Sequence, residues 1–221
     1  MKVCTDSCIF GSYVSTNQSF EGGRVLDVGA GTGLLSLMYL QHNPSAAITA
    51  VEPEIGSFQD LLVNIKTSPW SGQISAENKD LATFASQNQD KYQVIICNPP
   101  FFSNHLKSKD LERNKALHLS PEAWEDWLIK LKALLSPNGR LWLLLNEDTF
   151  EKSASLFIHL GLSIARTVQV LQKGKSFRVI ICLETNRVHF PKNEIEELKG
   201  EGEALSAWAK TLLQDFYLIK A

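Results

Sequence analysis

The stretch Arg24-Val25-Leu26-Asp27-Val28-Gly29-Ala30-Gly31-Thr32-Gly33 decides the fold of this 221-residue chain. Its first half is an apolar run that predicts a buried strand, and its alternate glycines predict a tight turn. The mostly apolar residues 34–40 that follow predict a helix. A strand, a glycine turn and a helix in this order open a doubly wound α/β domain, in which ligands bind beyond the carboxyl ends of the strands.

Asp27, inside this stretch, indicates which kind of cofactor the turn holds. A dinucleotide-binding turn needs its third glycine one place after Gly33, where this chain has Leu34. A carboxylate at the end of the strand would also repel a pyrophosphate, whereas it suits a cofactor with a positive amino group. S-adenosylmethionine (AdoMet) carries such an amino group and a sulfonium, and Gly29 and Gly31 allow the backbone to approach it closely.

Acidic residues follow the next two predicted strands. The strand 48–52 ends at Glu52, from which a carboxylate can accept both hydroxyls of a ribose; the alternative is a solvated carboxylate at a strand end. The short strand 74–76 is followed by Asp80, which either accepts a hydrogen bond from the adenine of the cofactor or caps the helix that begins at Leu81. The sequence leaves the roles of Asp80 open.

The fourth predicted strand, Tyr92–Cys97, leads into the loop Asn98-Pro99-Pro100-Phe101. The two prolines make the loop stiff, and a residue that precedes a proline is extended. The side-chain oxygen of Asn98 and the carbonyl of Pro99 can accept both hydrogens of a planar –NH2 group, which localises the nitrogen lone pair, and Phe101 can stack on a flat base. The alternative is an ordinary strand-ending turn. The position of the loop after a nucleotide-type glycine turn favours the amine-binding interpretation.

The remaining pattern predicts a Rossmann-like α/β domain. Strands and helices alternate up to a fifth strand at 140–145, and a glycine turn between two later strands indicates an antiparallel hairpin. We therefore predict a seven-stranded, mostly parallel sheet with a C-terminal antiparallel hairpin, helices on both faces, and a single domain over residues 1–221. Its later elements are helices at 121–135 and 149–159 and hairpin strands at 162–171 and 177–184.

The two ends of the chain are predicted to extend this domain. Residues 1–21 are expected to form an N-terminal cap segment with a short helix followed by a loop. Residues 187–221 form a C-terminal extension, in which segment 193–198 is a short helix or irregular and segment 205–218 is an amphipathic helix.

Composition excludes several classes of protein. The net charge is −2, so any nucleic-acid surface must be local, and none of the four cysteines forms a CxxC pair. The histidines show no metal-ligand spacing, and there is neither a signal peptide nor an apolar run long enough to span a membrane. We therefore predict a cytoplasmic protein with no metal and no membrane contact. A monomer is favoured, although the sequence does not identify the oligomeric state.

Two basic clusters are candidates for a local phosphate-binding surface. One follows Asn98 directly, and the other lies at the turn of the predicted hairpin. Because lysine and arginine neutralise phosphates, we expect these clusters to bind an RNA backbone; the alternative is that both are solvated loops. The candidate residues are Lys107, Lys109, Arg113 and Lys115 in the first cluster and Lys173, Lys175 and Arg178 in the second.

These motifs, in this order, resemble those of the class I AdoMet-dependent methyltransferases, and the Asn-Pro-Pro-aromatic loop narrows the resemblance to amino-group methylation. Residues 1–6 with Gly11, residues 213–218, Phe102, and Arg113 with Ala116 are further similar to the bacterial tRNA1(Val) (adenine(37)-N6)-methyltransferase family. This resemblance spans nearly the whole chain, and the two termini are its specific part. It implies AdoMet as the cofactor and methyl transfer to N6 of adenine 37, next to the anticodon in the tRNA anticodon loop.

The resemblance also implies roles for individual residues. For the cofactor, the resemblance implies that Asp27, Gly29 and Gly31 surround the methionine end of AdoMet and that Glu52 holds its ribose. Asp80 and Leu81 are implied to contact its adenine, and Thr5 and Asp6 to border the pocket. Asn98 is implied to lie at the reacting methyl group. The implied catalytic residues are Asn98 and Pro99, which hold the target N6, and Phe101, which stacks on the target base.

Some positions depart from the family pattern. Cys4 stands where the family usually has glycine, and Leu117 stands where it usually has arginine, and these changes affect the expected RNA contacts more than the chemistry. Family members also have residues before the position that is Met1 here, so the sequence leaves open whether its start is complete. The alternatives for function are methylation of guanine N2 in rRNA, methylation of a release-factor glutamine, or a non-catalytic RNA-binding protein.

Overall fold

Eight strands form one sheet in the part of the chain that the structure, a computed structural model, describes: residues 4–17, 23–99, 120–186, 190–200 and 204–216. The helices are α1 (Thr5–Asn17), α2 (Leu34–His42), α3 (Ile55–Thr67), α4 (Leu81–Gln87), α5 (Pro121–Leu134), α6 (Glu147–His159) and α7 (Ala207–Leu213). The strands are β1 (Arg24–Val28), β2 (Ala47–Val51), β3 (Ile74–Glu77), β4 (Tyr92–Cys97), β5 (Leu135–Leu145), β6 (Ser163–Gln172), β7 (Lys175–Glu184) and β8 (Lys192–Glu197).

The order of the strands brings the ends of β1, β2 and β4 together. The sheet runs β3-β2-β1-β4-β5-β7-β6-β8. Strands β1 to β5 are parallel to one another, β7 is antiparallel to β5 and β6, and β8 is parallel to β6. Val28 lies opposite Val51 of β2 and Cys97 of β4. These three strands therefore end at one edge of the sheet, which is called the carboxyl edge below.

Helices cover both faces of the sheet, because successive strand residues point to opposite sides. Val25 and Val94 belong to a buried cluster that includes residues of α1, α2, α3 and α7. Their neighbours Leu26 and Ile95 belong to a second cluster with residues of α4, α5 and α6. The prediction of a Rossmann-like, mostly parallel sheet with an antiparallel hairpin and helices on both faces is confirmed.

Helix α1 is longer than the predicted short helix. It extends to Asn17, and Phe10 and Val14 have no exposed surface. It packs closely on α2 at Gly11, where an added side-chain carbon would lie 2.7 Å from the sulfur of Met38. Because α1 is covered by α2, α7 and β5 together, its buried residues do not form a single stripe. The sequence therefore lacks the periodic apolar stripe from which the length of this helix could be predicted.

The eighth strand was not predicted, because segment 193–198 was expected to be a short helix or irregular. Strand β8 contains one apolar residue, Ile195, and 68% of that residue is exposed. Its sequence therefore lacks the apolar alternation that marks a half-buried strand. Backbone pairing with β6 makes it a strand, and its charged side chains suit the edge of a sheet, where they oppose further pairing.

Most other boundaries agree with the sequence pattern. Ser120 caps α5 by accepting from the Ala123 N–H, and Pro121 takes the first helical position. Strand β5 begins before the predicted position 140, and its register with β4 shifts near that point. Helix α7 is shorter than the predicted 205–218, of which residues 217 and 218 lie outside the described part. Of the helices in the described ranges, none has the length and apolar character needed to cross a membrane.

Candidate active site

The three glycines of the turn after β1 adopt backbone conformations that side chains rarely allow. Their φ angles are +70° at Gly29, +58° at Gly31 and +87° at Gly33, all in the left-handed region. A carbon added at Gly29 would meet no atom within 4 Å, so glycine is needed there for its backbone conformation and the space beside it is open. The Asn64 amide of α3 donates to the Thr32 carbonyl at 2.8 Å and holds the turn in place.

Glu52, directly after β2, is hydrogen-bonded to this turn. Its Oε2 accepts from the Gly31 N–H at 2.8 Å, and its Oε1 accepts from the Glu54 N–H at 2.9 Å. The residue is buried to 7% exposure. A carboxylate offers about four acceptor positions, so about two remain for other donors. Glu52 can therefore hold the glycine turn and still accept the hydroxyls of a ribose. The sequence predicted only the second of these roles.

Asp27 lies fully buried beneath the same turn. Its Oδ2 accepts from the Ser36 hydroxyl at 2.7 Å, whereas Oδ1 has no hydrogen-bond partner among the described residues. Burial raises the pKa of this carboxyl to about 6, against the opposing effect of the Ser36 hydrogen bond. The nearby charge of Glu52 raises it further. A buried carboxylate with one oxygen unpaired suits a cationic group, such as the amino group of AdoMet.

Asp80 caps helix α4. Its carboxylate accepts from the Thr83 N–H at 2.7 Å, and this hydrogen bond lowers its pKa. The helix-capping alternative is thus present in the structure, and a contact between Asp80 and the cofactor adenine stays a prediction. Leu81, the first residue of α4, is buried in the apolar cluster under that helix.

Asn98 lies beside the glycine turn at the carboxyl edge. The register pairs Cys97 with Val28, so Asn98 and Gly29 begin neighbouring loops. The Asn98 Nδ2 donates to the Ser7 hydroxyl at 2.9 Å, and its Oδ1 is buried with no partner among the described residues. A buried acceptor that lacks a partner is costly. This oxygen is therefore suited to accept a hydrogen bond from a substrate.

The rest of the loop after Asn98 is described only in part. Pro99 is buried directly after it. The predicted stacking residue Phe101 lies outside the described residues, and so do the candidate RNA-binding residues Lys107, Lys109, Arg113 and Lys115. Their predicted roles stay predictions.

The first turn of α1 lies next to the loop after β4, where its Ser7 contacts Asn98. Thr5 is exposed, whereas Asp6 is buried and its Oδ1 accepts from the Ser7 N–H at 2.9 Å. The Asp6 Oδ2 accepts from the Arg178 guanidinium, with Nε at 3.1 Å and Nη2 at 3.0 Å. The guanidinium also lies over the ring of Phe177, 4.6 Å from its centre. Arg178 therefore forms an ion pair with Asp6, a residue predicted to border the cofactor pocket, and its predicted contact with RNA stays a prediction.

The other two hairpin candidates, Lys173 and Lys175, are exposed at the turn between β6 and β7.

Two further residues of the site were not predicted from the sequence. Ser7 partners Asn98, and Ser36 partners Asp27. A serine inside a helix carries no pattern that distinguishes these hydrogen bonds from solvent contact, although the position of Ser7 next to Asp6 was a possible signal.

The residues at the carboxyl edge fit AdoMet. The unpaired oxygen of Asp27 suits its amino group, the remaining acceptor positions of Glu52 suit its ribose, and the open space at Gly29 allows close approach to the backbone. The unpaired oxygen of Asn98 lies on the neighbouring loop, where an amine would meet the methyl group. The arrangement could therefore hold a cofactor and an amino group side by side.

Comparisons with known proteins agree with this geometry. The methyltransferase small domain family matches residues 7–181. A tRNA1(Val) (adenine(37)-N6)-methyltransferase of Dyadobacter fermentans is 33% identical over 99% of this chain and 91% of its own length. The enzyme of the same name from Histophilus somni is 32% identical over 99% of this chain and 91% of its own length.

Solved structures support the fold alone, because their sequence identities are low. A predicted O-methyltransferase of Agrobacterium tumefaciens has a TM-score of 0.64 at 16% identity and covers 95% of both chains. A glycopeptide N-methyltransferase solved with AdoMet has a TM-score of 0.60 at 11% identity and covers 80% of this chain and 92% of its own. From the family match and the full-length relatives, the chain belongs to the methyltransferase small domain family and, within it, to the tRNA1(Val) (adenine(37)-N6)-methyltransferases.

Proposed function

We propose that this protein transfers the methyl group of AdoMet to N6 of an adenine in tRNA, with adenine 37 of tRNA1(Val) as the target. The single observation that carries the proposal is the buried, unpaired Oδ1 of Asn98 beside the glycine turn. This oxygen can accept one N–H of the adenine amino group, and the Pro99 carbonyl can accept the other. The names of the relatives support tRNA and adenine 37 as the substrate.

The residues act mainly by positioning. Asn98 and Pro99 would hold both N–H bonds of the amine, which draws its lone pair out of conjugation with the purine and towards the methyl group. Asp27, Glu52 and the glycine turn would hold AdoMet, which would supply the electrophilic methyl group and retain the bonding electrons on its sulfur. Holding two reactants in line contributes a large share of the rate without covalent catalysis. The proton released from nitrogen can pass to solvent, so no dedicated base is required.

Binding of the target base also has a local explanation. Adenine next to an anticodon is unpaired, so turning it into a pocket costs less than extracting a base from a duplex. Stacking of a base on an aromatic ring contributes roughly 1–3 kcal/mol, and Phe101 is the proposed partner. This stacking would offset much of the remaining cost of turning the base.

The hairpin of β6 and β7 supports a tRNA surface on the same side of the molecule. Leu145, the last residue of β5, pairs with Val179 of β7. Strand β7 begins at Lys175, four residues earlier, so the hairpin extends roughly 13 Å beyond the end of β5 at about 3.3 Å per residue. Lys173 and Lys175 at its tip would therefore lie beside an RNA whose adenine occupies the site at Asn98.

The proposal is tested with purified protein, AdoMet and tRNA1(Val) transcripts, followed by mass spectrometry of the digested RNA. N6-methyladenosine is expected in the transcript with adenine 37 and not in one with guanine at that position. Ribosomal RNA and a release factor in parallel reactions identify the rival substrates. Methylation of either rival in place of the tRNA would refute the proposed substrate, while cofactor binding without transfer to any of them would refute the amine-methylation activity.

A further inference from the structure

We infer that Arg178, Asp6 and Ser7 form a hydrogen-bonded chain that positions the Asn98 side chain for methyl transfer. The inference deepens the proposed function and rests on it, because it concerns the acceptor of that reaction. The chain is continuous: the Arg178 guanidinium donates to Asp6, Asp6 accepts from the Ser7 N–H, and the Ser7 hydroxyl accepts from Asn98 Nδ2. It links β7 to the loop after β4 through the first turn of α1.

The orientation of the Asn98 amide decides whether it can serve an amine. An asparagine presents a carbonyl oxygen on one side and an NH2 group on the other. If the amide turned over, its NH2 group would face the adenine amino group, and two donors cannot bond to each other. In the structure the Ser7 hydroxyl accepts from Nδ2 at 2.9 Å, which leaves Oδ1 as the free group. Because a hydroxyl can also donate, Ser7 fixes the position of the amide, and the substrate amine, which is a donor, selects the orientation with Oδ1 facing it. Ser7 is therefore a positioning residue rather than a catalytic one.

The Asp6–Arg178 ion pair fixes the place of Ser7. Asp6 is buried to 7% exposure, and a buried carboxylate is stable there only with its charge partner and hydrogen bonds. The two contacts of Arg178 to one oxygen of Asp6 anchor the start of α1 to β7. Arg178 thus acts on the reaction through Asn98, in contrast to the phosphate contact predicted from its position in the hairpin.

The other end of α1 offers a matched control for this anchor. Arg166 of β6 donates to the Tyr13 hydroxyl at 3.0 Å and also to the Asn17 side chain. It therefore holds the end of α1 to the sheet as Arg178 holds its beginning, but it makes no contact with Ser7 or Asn98. If looseness of α1 alone harmed catalysis, loss of either arginine would have the same effect.

The first experiment compares three serine variants of the full chain. Ser7→Ala is expected to lower kcat roughly tenfold or more, because small misplacements of reacting groups are costly in rate. KM for tRNA and the calorimetric Kd for AdoMet should stay within about twofold of wild type, and Ser7→Thr, which keeps the hydroxyl, should restore kcat. Ser12→Ala is the control, since the Ser12 hydroxyl is buried in the same helix without a partner in the described chain. Unchanged kcat in Ser7→Ala, an equal loss in Ser12→Ala, or no rescue by threonine overturns the inference.

The second experiment addresses the arginine. The double variant Asp6→Asn with Arg178→Gln replaces the buried ion pair by two amides, which avoids an unpaired buried charge. It is expected to lower kcat with little change in KM for tRNA, whereas Arg166→Gln should lower the melting temperature without lowering kcat. A rise in KM for tRNA at unchanged kcat would assign Arg178 to RNA binding and overturn the inference.

A third measurement does not depend on the substrate. In protein labelled with 15N-asparagine, the Asn98 side-chain signal is identified by its loss in Asn98→Ala. Its amide protons should exchange faster with solvent in Ser7→Ala than in wild type or Ser7→Thr. Equal exchange in all three proteins overturns the positioning role even if the enzyme methylates tRNA. A wild-type protein that shows protected Asn98 protons but no tRNA methylation would instead refute the proposed function and leave the chain intact.

Discussion

The carboxylate of Glu52 accepts the backbone N–H of Gly31 at 2.8 Å, which ties the end of β2 to the glycine turn that follows β1. The same carboxylate is placed to accept the hydroxyls of a ribose. If Glu52 accepts those hydroxyls as proposed, cofactor affinity and the shape of the glycine turn depend on one side chain. This coupling makes Glu52 the most direct test of the cofactor site.

Replacement of Glu52 by alanine should weaken AdoMet binding about tenfold or more, because hydrogen bonds to a charged group contribute roughly 1.5–3 kcal/mol. Isothermal titration calorimetry measures the change. Glu54→Ala is the matched control: Glu54 caps α3 through the Gly56 and Ser57 N–H groups, so its loss should lower stability and leave the affinity for AdoMet unchanged. Equal AdoMet affinity in Glu52→Ala and wild type would contradict the ribose assignment.

Replacement of Asn98 by alanine should abolish methyl transfer while AdoMet affinity stays near that of wild type. The variant removes the proposed acceptor for the substrate amine and leaves Asp27 and Glu52 in place. Methyl transfer is measured by mass spectrometry of tRNA and affinity by calorimetry on the same preparation. Retained transfer would show that the amide oxygen is not the acceptor.

AdoMet affinity should fall as the pH is lowered through about 6. The pKa of Asp27 is raised to about 6 by burial, so the carboxyl of the free protein becomes neutral below that pH and no longer attracts an amino group. Titrations between pH 5 and pH 8 should show this loss, and Asp27→Asn should bind weakly with no step near pH 6. An AdoMet affinity that is constant across this pH range would show that the charge of Asp27 does not contribute to cofactor binding.

The same pKa has a consequence for stability with the opposite trend. An acid whose pKa is raised from 3.8 to about 6 by folding stabilises the folded state below 3.8, and this contribution is lost as the pH rises through 6. Above pH 6 the charge is buried at a cost. Asp27→Asn should therefore be at least as stable as wild type at pH 7.5 in denaturant titrations, and a large loss of stability there would indicate that the charge is well solvated.

Replacement of Lys173 and Lys175 together by alanine should weaken tRNA binding and flatten its salt dependence. If each lysine neutralises one phosphate, the slope of log affinity against log salt should fall by roughly 1.4–1.8. Lys192→Ala is a control, because Lys192 is exposed at the start of β8, at the opposite end of the sheet. An unaltered slope in the double variant would show that these lysines do not contact phosphates and that the hairpin tip is a solvated turn.

The order of elements and the carboxyl-edge residues could be predicted because each leaves a local signature. Alternate glycines, acids after strands, and a proline-stiffened loop are visible in the sequence, and the register then brings Gly29 and Asn98 to neighbouring positions. The edge strand β8 could not be predicted, because its strand conformation comes from pairing with β6 rather than from apolar alternation. The strand conformation of β8 is thus set by tertiary pairing and not by its local sequence.

The hydrogen bonds of the site were less accessible to sequence reasoning than its residues. The bond between Ser7 and Asn98 joins positions 91 residues apart, and that between Asp6 and Arg178 joins positions 172 residues apart. A single sequence does not reveal such long-range pairs, since serine and arginine occur widely on protein surfaces without them. Asp80 shows the converse case, in which a local capping pattern was visible but did not distinguish a helix cap from a ligand contact.

The separation between Asp6 and Arg178 sets the moment at which a newly made chain can become active. Helix α1 is synthesised before β7, and the Arg178 that anchors Asp6 follows 172 residues later. Domains generally fold as units, and β7 lies inside the sheet between β5 and β6. A nascent chain released before β7 would lack both this anchor and the strand that pairs with β5 and β6, so early termination should yield a protein that does not fold stably and leaves RNA unmodified.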